Sequence, residues 1–209
     1  MLIGMESDAQ LVARTRKGDV EAFNHLVSRW EKRLYNYLLR LLGNREDSLD
    51  LCQEAFLKAY RSIATLQDAE KFSHWLFRIA HNLAFSQLRR PALEESVEDY
   101  PEQDWADKNW PEKNWEDAHF PLRRSGTGAR PAFGLELEFA VAKALETLTP
   151  EQREAVLLKV YHGFHFAEIA EIISCPVSTV KSRIYAGFAQ LREMLASEPV
   201  SRSVAGRRR

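Results

Sequence analysis

The chain has 209 residues, 45% hydrophobic and 28% charged, with a formal net charge of −1. That is the range of one large or two small water-soluble domains, and the near-neutral balance speaks against a protein that holds many phosphates unaided, because such binding needs a large basic surplus. The longest apolar run is far short of the ~20 residues that cross a bilayer, and the widely separated Cys52 and Cys175 make neither a disulfide framework nor a zinc site.

The opening Met-Leu-Ile-Gly-Met-Glu-Ser-Asp has no basic start and no long apolar stretch. A secretion signal is therefore not expected, nor is membrane insertion, and the expected compartment is the cytoplasm. A short helix follows, capped by Ser7 or Asp8 and ending at Gly18. Asp19 caps a long one, with Ala22, Phe23, Leu26, Val27, Trp30, Leu34, Tyr37, Leu38, Leu41 and Leu42 at three-and-four spacing. Gly43-Asn44 stops it. A third helix is predicted over 46–62, with Leu51, Ala55, Phe56 and Ala59 turned inward, then a polar connection over 64–71.

Phe72 to Asn82 reads Phe-Ser-His-Trp-Leu-Phe-Arg-Ile-Ala-His-Asn and is followed by Arg89-Arg90 and Pro91, which should stop the helix. Two roles fit these residues. Aromatic faces can hold unstacked bases, an asparagine can read a base edge and arginines can hold phosphates. Equally, an amphipathic helix can simply bury its aromatics.

Residues 91–133 break the order. Residues 1–90 carry 14 Lys and Arg against 11 Asp and Glu, residues 91–121 carry 2 against 10, and residues 122–209 carry 13 against 9. Two mildly basic blocks thus flank an acidic one. Pro91, Pro101, Pro111, Pro121 and Pro131 forbid a long helix through 91–133, and Ser125-Gly-Thr-Gly-Ala129 adds freedom. A flexible or extended linker is expected here. Trp105, Trp110 and Trp115 recur every five residues, a spacing that gives no common helix face. They suit docking on a partner or local collapse onto a neighbouring domain.

Helices resume at 135–195. Thr149-Pro-Glu-Gln152 is a helix start, with threonine as cap, proline at the first position and glutamine at the third. Phe166–Ile173 is a short helix, Ser174-Cys175-Pro176 a tight turn, and Val177–Leu195 a longer helix. That order is a helix-turn-helix, whose second helix enters the major groove. Ser178, Thr179, Lys181, Ser182, Arg183 and Tyr185 lie on or near its exposed side, where hydroxyls and amines can meet phosphates and base edges.

Three segments, in this order, resemble one family: Asp50-Leu-Cys-Gln53-Glu54-Ala-Phe56-Leu-Lys58-Ala59, then Phe72 to Asn82, then Ala167-Glu-Ile-Ala-Glu-Ile172 running into Cys175-Pro-Val-Ser-Thr-Val-Lys-Ser-Arg183. They are similar to those of the extracytoplasmic-function sigma factors, compact members of the sigma-70 family, over 8–90 and 135–195. The resemblance implies an all-α chain of two small helical domains: a sigma-2 bundle over 1–90, the long acidic linker over 91–133, a sigma-4 helix-turn-helix domain over 134–196 and a basic polar tail over 197–209. It implies a promoter-specificity subunit of RNA polymerase, not an enzyme, with no cofactor and no metal.

The resemblance also implies roles. Asp50, Gln53, Glu54, Lys58 and Arg61 would meet core RNA polymerase, whose largest-subunit clamp helices and flap are the implied docking sites. The 64–71 loop and the helix after it would open the minus-ten element. Asn82 would read a flipped base, with Phe72, Trp75, Arg78 and His81 nearby and Arg89 and Arg90 beyond. Ser178, Thr179, Lys181, Ser182, Arg183 and Tyr185 would read the minus-thirty-five element as duplex. An anti-sigma factor would hold the protein inactive, and the acidic linker would thread the polymerase cleft.

Four positions depart from the family's pattern. Ala186 and Phe188 stand where basic residues are common, His165 where a Ser or Thr cap is usual, and Ser174 where Gly often ends the helix. A stand-alone regulator using only the helix-turn-helix would need neither the 50–59 nor the 72–82 segment. A nucleic-acid enzyme would need paired carboxylates, a phosphate-cradling loop or a nucleophile triad, and none of these patterns is present.

Overall fold

The computed structural model describes residues 6–92 and 141–197, with the backbone alone for 90–92 and 197. The expected linker with its three tryptophans, and the basic tail beyond Ser197, lie outside the described residues. Within them the chain is helical and no strand is present.

Local signals set the helix ends. In α1 (Asp8–Thr15) the Ser7 hydroxyl accepts from Gln10 N, and the Gln10 side chain accepts from Ser7 N at 2.8 Å, a reciprocal cap. Asp19 caps α2 (Val20–Leu42) through Ala22 N, and Gly43 ends it at φ 73°, a left-handed position that glycine takes without strain. Asn44 then caps α3 (Arg45–Ser62) through Glu46 N and Asp47 N. Two short 3₁₀ turns, Ile63–Thr65 and Ala69–Lys71, fill the connection to α4 (Phe72–Ala92). That helix runs one residue past Pro91, the residue expected to stop it, so the proline falls in its last turn.

The N-terminal core is the meeting of the apolar stripes of α2, α3 and α4, closed by Leu11 and Val12 of α1. Phe72, Leu76, Phe77 and Ala80 are fully buried in it. Arg16 reaches from the end of α1 to the Ile63 and Leu66 carbonyls and braces the connection before α4. Asp8 pairs with Arg29 and accepts from the Trp30 indole at 2.9 Å, tying α1 to α2.

The C-terminal half holds a helical stretch over 141–146 (α5), then α6 (Pro150–Val160), α7 (Phe166–Ile173) and α8 (Val177–Ser197). Thr149 and Gln152 form the expected reciprocal cap of α6. Ser174 ends α7 at φ 54°, the single non-glycine residue with positive φ among those described. His165 caps α7 in the reverse sense, its N–H donating to the Glu168 carboxylate at 2.7 Å. Gly187 lets α8 lie close on α6: a Cβ there would stand 2.9 Å from Val156 Cγ2.

The two halves touch. α6 packs on α2, and α7 packs on α4. Phe77 lies between them, its ring 5.3 Å from Phe164 and 4.6 Å from His162.

Candidate nucleic-acid interface

On α4 the helical repeat sorts the residues expected to hold an opened strand. Trp75, Arg78, Asn82 and Arg89 are spaced by three, four and seven, which puts them on one face. Arg78, Asn82 and Arg89 are exposed, and Trp75 is half-buried with its ring 6.2 Å from Phe72. Asn82 lines a cleft of about 490 Å³ between α3 and α4, with Lys58, Arg61 and Ser62 on one wall and Ile79, Leu83 and Ser86 on the other. The cleft combines an apolar wall, hydroxyls, an amide and two cations, a lining that suits a base with its phosphate.

Two expected residues turn elsewhere. Phe72 is 0% exposed and cannot stack a base; it continues the buried face of Leu76, Ala80 and Leu83. His81 faces the C-terminal half, its Nδ1 2.7 Å from Glu154 Oε1. Arg90 has no described side chain.

Along α3, Asp50, Gln53, Glu54, Lys58 and Arg61 are all exposed. Lys58 pairs with Glu54 at 2.9 Å, one turn away. Leu49 and Leu57 stand exposed among them, Leu57 at 55%. The outer side of α3 is therefore a charged helix with apolar points, a surface suited to a partner helix. Lys58 and Arg61 lie at its cleft edge, beside Asn82 rather than apart from it.

In the helix-turn-helix, α7 and α8 pack through Ile169, Ile172, Ile173, Val180 and Ile184. Ser178 and Lys181 are exposed, whereas Thr179, Ser182, Arg183 and Tyr185 are half-buried. The Ser182 hydroxyl donates to Thr179 O at 2.9 Å, and Lys181 Nζ lies 5.6 Å from the Phe166 ring centre. Arg183 Nη1 stands 4.0 Å from Cys175 Sγ. Burial pushes the Cys52 thiol up to about 11, with Glu31 adding to it, which leaves that cysteine a small core residue.

Glu154 was not among the expected site residues. It is 0% exposed, accepts from the Tyr37 hydroxyl at 2.5 Å and faces His81. Its other oxygen, Oε2, is buried without a hydrogen-bond partner. Burial, with the Glu154 charge beside it, holds the Tyr37 phenol well above its ordinary range, so Tyr37 remains a donor. A sequence signal existed: Glu154 precedes Leu157 by three and Leu158 by four, on the buried face of α6. Next to it Arg153 donates to the carbonyls of Leu145, Glu146 and Leu148, and across to Leu41 O at 3.0 Å.

Comparison with known proteins gives the chain its relatives. Residues 26–92 match the family described as Sigma-70 region 2, and residues 138–191 match Sigma-70, region 4. The ECF RNA polymerase sigma-E factor of Haemophilus influenzae is 35% identical over 196 residues, covering 92% of this chain and 95% of that protein. The ECF RNA polymerase sigma factor SigW of Bacillus subtilis is 31% identical, covering 88% and 94%. Among solved structures, CnrH in complex with the cytosolic domain of CnrY has a TM-score of 0.63 at 24% identity, over 92% of this chain and 99% of that one. The sigma factor RpoE in complex with the anti-sigma factor NepR, from Bartonella quintana, has a TM-score of 0.60 at 24% identity, over 84% and 98%. At that identity the two structures speak for the shared fold.

Proposed function

The chain belongs to the ECF sigma factors of the sigma-70 family, and from that membership we propose that it docks on core RNA polymerase, brings it to specific promoters and holds the opened minus-ten strand along the Trp75–Arg89 face of α4. The observation that carries this reading is the cleft at Asn82, with Lys58 and Arg61 on its rim and the Trp75, Arg78 and Arg89 stripe beside it. Taking a base out of the stack costs a few kcal/mol, and an aromatic platform returns ~1–3 kcal/mol per base. The remainder comes from polymerase contacts, which is why a chain of net charge −1 can serve.

In this reading Lys58 and Arg61 hold the strand's phosphates. Asp50, Gln53 and Glu54, with the exposed Leu49 and Leu57, are left to the clamp helices of polymerase. Ser178, Thr179, Lys181, Ser182, Arg183 and Tyr185 read the minus-thirty-five duplex, with Lys181 and Arg183 as the cationic members. An anti-sigma factor holds the protein in check, as the complex of RpoE with the anti-sigma factor NepR suggests for that protein.

Run-off transcription with purified core polymerase over genomic fragments tests the reading. The wild-type chain supports initiation at defined start sites. Asn82→Ala binds core equally well but loses permanganate reactivity at the minus-ten region. Undiminished reactivity in that variant would remove the base-reading role from Asn82. Tight duplex binding by the chain alone, with no core-dependent initiation, would favour a stand-alone regulator instead.

A further inference from the structure

The first two turns of α8 hold three exposed side chains: Val177, Ser178 and Lys181. Their neighbours turn inward or back. Val180 and Ile184 are buried against α7, Ser182 donates to the Thr179 carbonyl, and the Arg183 guanidinium leans toward the Cys175 sulfur. A hydroxyl and an ammonium are ordinary equipment for a helix that meets DNA. A valine is not. Yet Val177 stands 40% exposed at the first residue of α8.

A single exposed valine means little by itself, since much of any folded surface is apolar. Its place is what counts. Among the described residues of the helix-turn-helix, Val177 and Leu195 are the exposed large hydrophobics, and Leu195 lies at the far end of α8. The left-handed Ser174 and then Pro176 turn the chain so that α8 starts at Val177, with Val180 N donating back to Pro176 O at 3.1 Å. Lys181 follows one turn later, its Nζ 5.6 Å from the Phe166 ring centre. Residues four apart share a helix face, so Val177 and Lys181 stand side by side.

We infer that Val177 is a specificity-determining residue, which packs on the 5-methyl group of a thymine in the minus-thirty-five duplex, beside the base edge that Lys181 meets. The inference rests on the duplex reading proposed above. A recognition helix brings its N-terminal residues to base edges in the major groove. Those edges carry donors, acceptors and one kind of apolar group, the thymine methyl. A donor or acceptor pressed against Val177 loses its water and gains no partner. The methyl loses only unfavourable hydration. Val177 therefore selects thymine over cytosine, whose edge presents an amine and no methyl. A rise of 1.5 Å per residue sets Val177 and Lys181 about 6 Å apart along the helix. That is roughly two base steps of 3.4 Å, so the thymine lies within about two pairs of the base at Lys181.

Deoxyuridine differs from thymidine only by that methyl, which makes it the probe. Polymerase carrying the full chain is assayed for promoter binding and initiation on templates whose minus-thirty-five thymines are replaced by deoxyuridine one at a time, on either strand. Wild type should bind one substituted template about threefold to fivefold more weakly, the worth of one buried methyl. Val177→Ser, with helicity checked by circular dichroism, should bind that template and its thymidine parent equally. Val177→Ile should restore the preference. Equal preference for thymidine in wild type and Val177→Ser would overturn the inference, because another residue would then hold the methyl. An element without thymine on either strand would overturn it as well. If scrambling the whole element abolishes initiation while no deoxyuridine matters, the Val177 contact falls and the duplex reading stands. If scrambling changes nothing, the duplex reading falls and the contact with it.

Discussion

His162 gives a quantitative test of how the two halves pack against each other. Its ring sits edge-on to Tyr37 at 5.8 Å and against Phe77 at 4.6 Å. Burial, reinforced by the positive charges of Arg33 and Arg40, lowers its pKa from 6.5 to about 3. The depressed value means that the unfolded chain takes up a proton below pH 6.5 that the folded chain refuses. The stability it permits is intact above pH 6.5 and is lost as pH falls from there toward 3. Between pH 7 and pH 5 the loss works out to about 2 kcal/mol for this one group, or roughly 4–8 °C in melting temperature for a protein of this size. Urea titrations of wild type and His162→Phe at both pH values measure it. Wild type should lose about 2 kcal/mol more than the variant on acidification. Equal acid losses in the two proteins, or an NMR titration of His162 in the folded chain near 6.5, would refute the reasoning.

Three further expectations follow from backbone and charge. Ser174→Gly should stabilise the C-terminal half by about 0.5–1 kcal/mol, because its φ of 54° is strained for any residue with a Cβ; thermal melting checks this, and a lower melting temperature would refute it. Gly187→Ala should destabilise by about 1–3 kcal/mol despite better helix propensity, because its methyl would meet Val156 at 2.9 Å; a stabilised variant would show that α6 and α8 readily move apart. Arg89→Ala should weaken promoter binding by the polymerase complex similarly across sequences and flatten its salt dependence by about one charge. A sequence-selective loss would instead make Arg89 a base reader.

The helix starts were open to reading because they are local: Ser7 with Gln10, Asp19 with Ala22 and Thr149 with Gln152 each close within three residues. The face of α4 was half legible. Spacing alone groups Trp75, Arg78, Asn82 and Arg89, and the same spacing aligns Phe72 with Leu76 and Leu83, which are buried. Its aromatic ring had suggested stacking, a property that says nothing about which way the ring faces. The two roles of α3 blurred for another reason: Lys58 and Arg61 become cleft residues only when α4 lies beside them. The meeting of the two halves at Glu154 was out of reach, since Tyr37 and His81 stand 117 and 73 residues from Glu154 and nothing local connects them.

Arg16 carries a consequence for where the N-terminal unit begins. The Sigma-70 region 2 match starts at residue 26, yet the connection before α4 hangs from Arg16 through two carbonyls, and Leu11 and Val12 complete the core beneath it. The recognition unit and the folding unit therefore have different borders. A fragment cut at the border of the match would keep every side chain of the proposed α4 face but lose the strut that holds the preceding turns. The first helix carries none of the proposed nucleic-acid contacts, yet it braces the turns that lead into that surface.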